Sequence, residues 1–195
     1  GDLASAMAAE AAAGDADGIN IDFEKVPVSV KADLVSFVLE VGAELEARVP
    51  GGEISLAMPA VDWKGAYDYD LLAAASDQLF IMCYGYYWNG GNPGPVAPLN
   101  GSERWGGHAI DSTVDDYEEW GGGQAVLSQL VVGLPSYGYD WPAQGPEVPG
   151  RRRGEEKADA VAYIEALQDP GLDAFEHDEA SDTRYRAYEG SDGWR

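Results

Sequence analysis

Polar and apolar residues alternate most regularly in an early segment, Asp17–Glu24, whose sequence is DGINIDFE. Because successive side chains of a strand point to opposite faces, every second residue shares a face. Three polar residues therefore lie on one face: Asn20, Asp22 and Glu24. The residues between them are apolar and face the other way. The pattern predicts a strand with one polar face, one apolar face and a glutamate at its C-terminal end.

Two kinds of strand fit this alternation. A strand of a (β/α)8 barrel directs one face into the barrel, packs the other against helices and carries catalytic groups at its C-terminal end. A half-solvated antiparallel strand shows the same alternation. Asp and Asn are poor strand formers, so three polar residues within five positions favour a functional role, with Glu24 at the active end.

Helical patterns flank this segment on both sides. The Ala-rich segment Leu3–Ala13 predicts a helix that Asp2 caps and that ends at a left-handed Gly14. After Pro27, apolar residues recur at spacings of three and four, which predicts a second, amphipathic helix. Its apolar stripe comprises Leu34, Val38, Val41, Leu45 and Val49.

Strands and helices continue to alternate further along the chain. Three more strands are predicted over Glu53–Ala60, Gln78–Tyr86 and Gln129–Tyr137. Helices are predicted over Asp70–Ser76 and Thr113–Trp120, the second capped by Thr113, after a Gly- and Pro-rich loop over Trp88–Ser112. Strands that alternate with helices favour a parallel α/β architecture. Four strands cannot close a barrel.

The alternation stops near Ala143. Lys157–Gln168 predicts an amphipathic helix, and Phe175–His177 with Arg184–Tyr188 predicts a short hairpin. We therefore expect two domains, an α/β part over residues 1–142 and an α+β part over residues 143–195.

The composition limits the kinds of molecule that the protein is expected to bind. The 195 residues include 12 Lys and Arg against 35 Asp and Glu, a formal charge of −23. Such a chain is repelled by nucleic-acid phosphates and by anionic membranes, which leaves a neutral polymer as the favoured partner. Cys83 is the only cysteine, so an internal disulfide is excluded. No segment has the length of a membrane span or the pattern of a signal peptide.

The segment that ends at Glu24 resembles the DxxDxDxE signature of glycoside hydrolase family 18, which includes the chitinases. Asp17, Asp22 and Glu24 match three motif positions, whereas Asn20 stands where chitinases usually carry Asp. An Asn there is similar to the branch that contains bacterial spore-cortex N-acetylglucosaminidases. The resemblance implies a (β/α)8 TIM barrel of which residues 1–142 supply strands four to seven. It also implies that residues 143–195 form the small α+β insertion that lines the groove.

Carboxyl chemistry and the resemblance together predict a hydrolytic mechanism. A glycosidic bond needs a proton on its leaving oxygen and stabilisation of an oxocarbenium-like centre. Two carboxyls on one strand approach the sugar from one side, which favours a substrate-assisted route. The resemblance implies that the sugar's 2-acetamido oxygen attacks the anomeric carbon, that Asp22 orients the acetamide and that Glu24 acts first as acid and then as base. This route needs no metal or organic cofactor.

Aromatic residues repeat at two strand ends as Tyr-Gly-Tyr-x-Trp. Aromatic faces bind sugar C–H surfaces, and Tyr hydroxyls can hold an acetamido group. Tyr84 and Tyr137 resemble the family's substrate tyrosines, and we place Tyr137 among the catalytic residues. The other predicted substrate contacts are Asn20, Met58, Tyr86, Trp88 and Trp141. Each aromatic could instead pack between sheet and helices, and Met58 could be plain core.

The resulting hypothesis is a hydrolase of β-1,4-linked N-acetylglucosamine polymers, either chitin or the glycan strands of peptidoglycan. We expect it to be secreted or associated with the cell envelope. The alternative is a chitinase-like lectin that binds the glycan without turnover. Retention of Glu24 favours the enzyme, whereas Gly85, which stands where the family usually carries an Asp, keeps the lectin open.

Overall fold

The computed structural model describes residues 1–168 and 175–195. Within them, one sheet contains four parallel strands in chain order: β1 Gly18–Ile21, β2 Glu53–Pro59, β3 Gln78–Met82 and β4 Leu130–Gly133. Four α-helices alternate with these strands: α1 Asp2–Ala13, α2 Lys31–Arg48, α3 Tyr69–Ala74 and α4 Ile110–Trp120. The predicted parallel α/β architecture is therefore confirmed, and the described strands form no closed barrel.

The chain divides into two compact units. The first unit comprises Gly1–Met82 and Val114–Gly133, and the second comprises Cys83–Thr113 and Leu134–Arg195. The predicted domain boundary after residue 142 falls inside the second unit and remains a prediction. In the part of the chain that is described, no helix combines the length and apolarity that a membrane crossing requires.

The core of the first unit lies between the sheet and its helices. Val38, Val41 and Leu45 of α2 are fully buried, as the helical stripe predicts. Alternate residues of the strands face these helices, because Ile21 and Leu56 line the same small cavity as side chains from α2 and α3. The opposite face of the sheet carries Asn20, the polar residue of β1.

The second unit contains antiparallel pairs of short strands. These strands are β5 Tyr137–Asp140, β6 Asp159–Ala162, β7 Glu176–Asp178, β8 Thr183–Tyr185, β9 Glu189–Gly190 and β10 Gly193–Trp194. They pair as β5–β6, β7–β8 and β9–β10. The hairpin predicted near the C-terminus is confirmed as β7–β8. A short helix, α5 Tyr163–Gln168, follows β6.

Several predicted element ends were wrong. The strand predicted over Asp17–Glu24 ends at Ile21, the last residue of β1 that pairs with β2. The strand predicted over Gln129–Tyr137 ends at Gly133, and Tyr137 begins a separate strand. The helix predicted over Lys157–Gln168 begins only at Tyr163, since the four preceding residues pair with β5. Long-range pairing decided these ends.

Three predicted features of helix caps were also wrong. Asp2 lies in the first turn of α1, after the N-cap residue Gly1, and Gly14 has φ −85°, outside the left-handed region. Thr113 lies inside α4, which begins three residues earlier at Ile110.

Candidate active site

The polar segment of β1 continues past the end of the strand. Asn20 lies within β1, and its side-chain amide donates a hydrogen bond of 2.7 Å to the Ser55 hydroxyl on β2. Asp22 and Glu24 follow the last paired residue, and both are exposed. The C-terminal edge of a parallel sheet is where α/β enzymes carry their reactive groups. The structure therefore leaves both carboxylates accessible at this edge.

A tyrosine that sequence reasoning missed lies beside these carboxylates. The Tyr67 hydroxyl donates a hydrogen bond of 2.8 Å to the carbonyl of Phe23, the residue between Asp22 and Glu24. The pKa of Tyr67 is raised mainly by burial and next by the negative charge of Asp62. The charges of Glu24 and Asp22 raise it further. Tyr67 belongs to the loop between β2 and α3. The one sequence feature that could have identified Tyr67 is its position just after β2, since α/β enzymes carry reactive groups at the C-terminal ends of parallel strands.

Met58 is part of the core of the first unit. Its side chain is 1% exposed and lines the same small cavity as Leu34 and Leu72, from α2 and α3. On β2 it shares a face with the buried Ile54 and Leu56. The side chain therefore packs against helices, in agreement with the simpler interpretation of a buried Met.

Aromatic rings of the second unit form a continuous row. The rings of Tyr84 and Tyr137 meet edge to face, with centroids 6.3 Å apart. Tyr137 in turn contacts Tyr139 at 5.5 Å, and Tyr139 contacts Trp141 at 5.2 Å. Burial, with help from a hydrogen bond to Tyr139, raises the pKa of Tyr137 to about 12. Its hydroxyl is thus neutral near pH 7, the form that can donate a hydrogen bond.

The remaining predicted aromatics differ in exposure. The half-buried Tyr86 shares a hydrogen bond of 2.7 Å with the Thr113 hydroxyl, and burial raises the pKa of Tyr86. Trp88 is 57% exposed. Trp141 is buried, and its indole nitrogen has no hydrogen-bond partner among the described residues. Trp88 is the one of these three with a broad accessible ring.

The predicted site residues fall into both units. The first unit contains Asn20, Asp22, Glu24 and Met58, and the second contains Tyr84, Tyr86, Trp88, Tyr137 and Trp141. Across residues 1–168 and 175–195, no three His, Cys, Asp or Glu side chains are grouped so as to hold a metal ion.

Sequence comparisons match most of the chain to one known protein family. Residues 2–192 match the family model described as glycosyl hydrolases family 18. YdhD of Bacillus subtilis (strain 168), provisionally named as a sporulation-specific glycosylase, is 31% identical over 129 residues, which are 64% of this chain and 27% of YdhD. YvbX of the same strain, named as an uncharacterized glycosylase, is 28% identical over 129 residues, 64% of this chain and 34% of YvbX. The chain thus spans about a third or less of these curated relatives.

Solved structures share the fold at low sequence identity. The crystal structure of YdhD has a TM-score of 0.80 at 23% identity, covering 98% of this chain and 60% of that one. The Bacillus cereus spore cortex-lytic enzyme SleL has a TM-score of 0.75 at 20% identity, covering 98% of this chain and 40% of the SleL chain. A chitinase from Chromobacterium violaceum ATCC 12472 has a TM-score of 0.78 at 23% identity, covering 98% and 57%.

Proposed function

The chain belongs to glycoside hydrolase family 18, and on that basis we propose that it hydrolyses β-1,4-linked N-acetylglucosamine glycans. The shared fold implies a (β/α)8-type arrangement, to which the described residues contribute a four-stranded parallel part. The observation that carries the proposal is the position of Glu24. It follows the end of a parallel strand by three residues, is exposed, and has Asp22 close to it in the chain.

The proposed mechanism is substrate-assisted and retaining. Glu24 donates a proton to the leaving glycosidic oxygen while the sugar's 2-acetamido oxygen attacks the anomeric carbon and forms an oxazolinium ion. Asp22 orients the acetamide and stabilises the developing positive charge. Glu24 then removes a proton from the water molecule that attacks the anomeric carbon and opens the oxazolinium ring. Each step uses only the substrate, water and these side chains.

The aromatic residues predicted as substrate contacts are proposed to bind the sugar. The neutral hydroxyl of Tyr137 is suited to donate to the acetamido oxygen, and Tyr84 contacts the Tyr137 ring. Trp88 offers an accessible aromatic face of the kind that stacks on sugar C–H surfaces. The buried Met58 is not part of the proposed contact surface.

The proposed substrates are chitin and the glycan strands of peptidoglycan. Both are uncharged along their β-1,4-linked sugar backbone, which suits a protein of net charge −23. Relatives with the same fold include a chitinase and a spore cortex-lytic enzyme. A secreted or envelope location fits either polymer.

The decisive experiment replaces Glu24 in the full-length protein that carries this sequence. Glu24→Gln keeps the size of the side chain but removes the acid. We expect release of a chromophore from an N-acetylchitobioside to fall at least about 10²-fold, the usual contribution of a general acid. Binding of N-acetylglucosamine oligomers should stay within about twofold, because the substrate contacts are unchanged.

The matched control is Glu10→Gln, on the exposed face of α1. It makes the same chemical change away from the proposed site and should leave turnover unaltered. Wild-type protein that binds the oligomers without any hydrolysis would indicate the lectin instead. Assays on chitin oligomers and on muropeptide glycans separate the two substrates.

A further inference from the structure

The backbone that carries Glu24 lies outside the sheet. Pairing between β1 and β2 ends at Ile21 and Leu56, so Glu24 lies three residues beyond the ladder. Lys25, the next residue, has φ +57°, in the left-handed region that side-chain-bearing residues rarely adopt. A turn of this kind persists only when surrounding contacts hold it. Glu24 therefore depends on contacts other than strand pairing for its direction.

The Tyr67 hydroxyl provides such a contact next to Glu24. It donates a hydrogen bond of 2.8 Å to the carbonyl of Phe23, which belongs to the peptide group that leads into Glu24. The Val26 backbone, two residues after Glu24, lowers the pKa of Tyr67, although burial and nearby negative charges outweigh this effect. The hydrogen bond to the Phe23 carbonyl thus ties the loop after β2 to the peptide group that precedes Glu24.

Tyr67 is itself held in place. The Asp62 carboxylate accepts a hydrogen bond of 2.8 Å from the Tyr67 backbone N–H, which closes the loop between β2 and α3 on itself. The Tyr67 ring lines the same small apolar cavity as Ile21 and Leu72. Phe23 is also fixed through its ring, which packs 5.5 Å from that of Phe37 on α2. The hydroxyl is therefore presented from a fixed support.

From this arrangement we propose that Tyr67 is a positioning residue, whose hydroxyl sets the direction of the Glu24 side chain. The inference rests on the proposed role of Glu24 as the general acid. The physical reason is that the Phe23 carbonyl fixes the plane of the peptide group before Glu24, and with it the direction of the bond from Cα to Cβ. Proton transfer requires hydrogen-bond distance to the glycosidic oxygen, and a displacement of about 1 Å can cost on the order of 10²-fold in rate.

The hydroxyl keeps its proton over the working range. Burial and the negative charges of Asp62, Glu24 and Asp22 all raise the pKa of Tyr67, and the Val26 backbone opposes them only in part. The neutral phenol is the form that can donate to the Phe23 carbonyl. This hydrogen bond is therefore intact at neutral pH.

A second tyrosine provides a matched control. The Tyr117 hydroxyl also donates a hydrogen bond of 2.8 Å to a backbone carbonyl at the end of a strand, that of Pro59 on β2. Its ring is fully buried and stacks on Tyr69, with centroids 4.4 Å apart. Tyr117→Phe therefore removes the same kind of bond from the same unit without affecting the Phe23 carbonyl.

The test compares Tyr67→Phe with Tyr117→Phe in the full-length protein. Each loses one hydroxyl, so each should lower Tm by a similar few degrees, about 2–4 °C. Only Tyr67→Phe should lower kcat on the N-acetylchitobioside, by about 10- to 100-fold, with KM changed less than about twofold. We expect kcat to fall while KM stays nearly constant, because the substrate contacts remain and only the alignment of the acid is lost.

Two outcomes overturn the inference while leaving the proposed function in place. Either Tyr67→Phe retains kcat within twofold of an active wild type, or its kcat falls no further than that of Tyr117→Phe. Failure of the proposed function is seen separately in the wild type and in Glu24→Gln. A wild type without turnover, or a fully active Glu24→Gln, removes the general acid and the positioning role together.

Discussion

The indole nitrogen of Trp105 donates a hydrogen bond of 2.6 Å to the carboxylate of Asp178. Asp178 is 3% exposed and also accepts hydrogen bonds from Ser181 and Arg104. The bond joins the long loop before α4 to the β7–β8 hairpin. Because Trp105 packs edge to face on Tyr87, centroids 5.5 Å apart, the buried carboxylate also supports the segment that carries Trp88.

We predict that Asp178→Asn destabilises the protein by about 1–3 kcal/mol at pH 7, since charged hydrogen bonds in a buried setting are lost. Burial by itself would raise the pKa of Asp178, but hydrogen bonds from Ser181 and Trp105 and the charge of Arg104 together hold it below its ordinary value. A group whose pKa is lowered by folding contributes stability above its unfolded pKa and loses it as the pH falls through the folded value.

The difference in unfolding free energy between wild type and Asp178→Asn should therefore shrink below about pH 4. Denaturant titrations at pH 7 and pH 3 measure it. The control is Asp182→Asn, an exposed position at φ +54° that Asn also tolerates. A constant difference at both pH values would contradict the prediction.

Tyr137→Phe should lower kcat by about 10²-fold, the usual cost of removing one donor from a charge-stabilising site. The ring and its edge-to-face contact with Tyr84 remain, so the row of aromatics is preserved. Steady-state kinetics on the N-acetylchitobioside measures the effect. Tyr185→Phe, which removes a hydroxyl bonded to Glu176 in the hairpin, should retain wild-type kcat. Equal losses in both variants would argue against a role for Tyr137 in the reaction.

Trp88→Ala should weaken binding of N-acetylglucosamine oligomers by about tenfold, a typical loss when an aromatic anchor is truncated. The ring is accessible and lies so close over Gly90 that a Cβ there would meet it at 2.1 Å. Calorimetric titration in the Glu24→Gln background measures the affinity without hydrolysis. Trp120→Ala removes another exposed ring, 61% exposed on α4, and should change affinity less than twofold. Unchanged affinity of Trp88→Ala would exclude the ring from the binding surface.

Two glycines of the first unit should respond oppositely to alanine. A Cβ at Gly18 would lie 2.2 Å from the Glu53 carbonyl oxygen, so Gly18→Ala must separate β1 from β2 and should cost about 1–3 kcal/mol. A Cβ at Gly42, inside α2, would meet its nearest neighbour at 3.9 Å, so Gly42→Ala should stabilise the helix by about 0.5–1 kcal/mol. Thermal unfolding tests both, and a stable Gly18→Ala would show that the strands can move apart at little cost.

Local periodicity predicted the elements better than their ends. The apolar stripe of α2 and the parallel α/β architecture were predicted correctly, because burial of one face imposes a repeat on the sequence. The antiparallel pairing of Tyr137 was missed, and so was the strand at Asp159, because both depend on partners about 19 to 25 residues away. The sequence identified the position of Asp22 and Glu24 at the end of a strand. It did not determine the direction of their side chains. Its catalytic role remains a prediction.

The sequence by itself determined which residue types alternate along each element, and with them the acidic segment ending at Glu24. Only the tertiary structure decided what holds that segment once β1 has ended, namely the hydroxyl of Tyr67, 44 residues from the Phe23 carbonyl it contacts. The reason is physical: side-chain alternation follows from the local geometry of a strand. A hydrogen bond between distant residues exists only after packing has brought its donor and acceptor together.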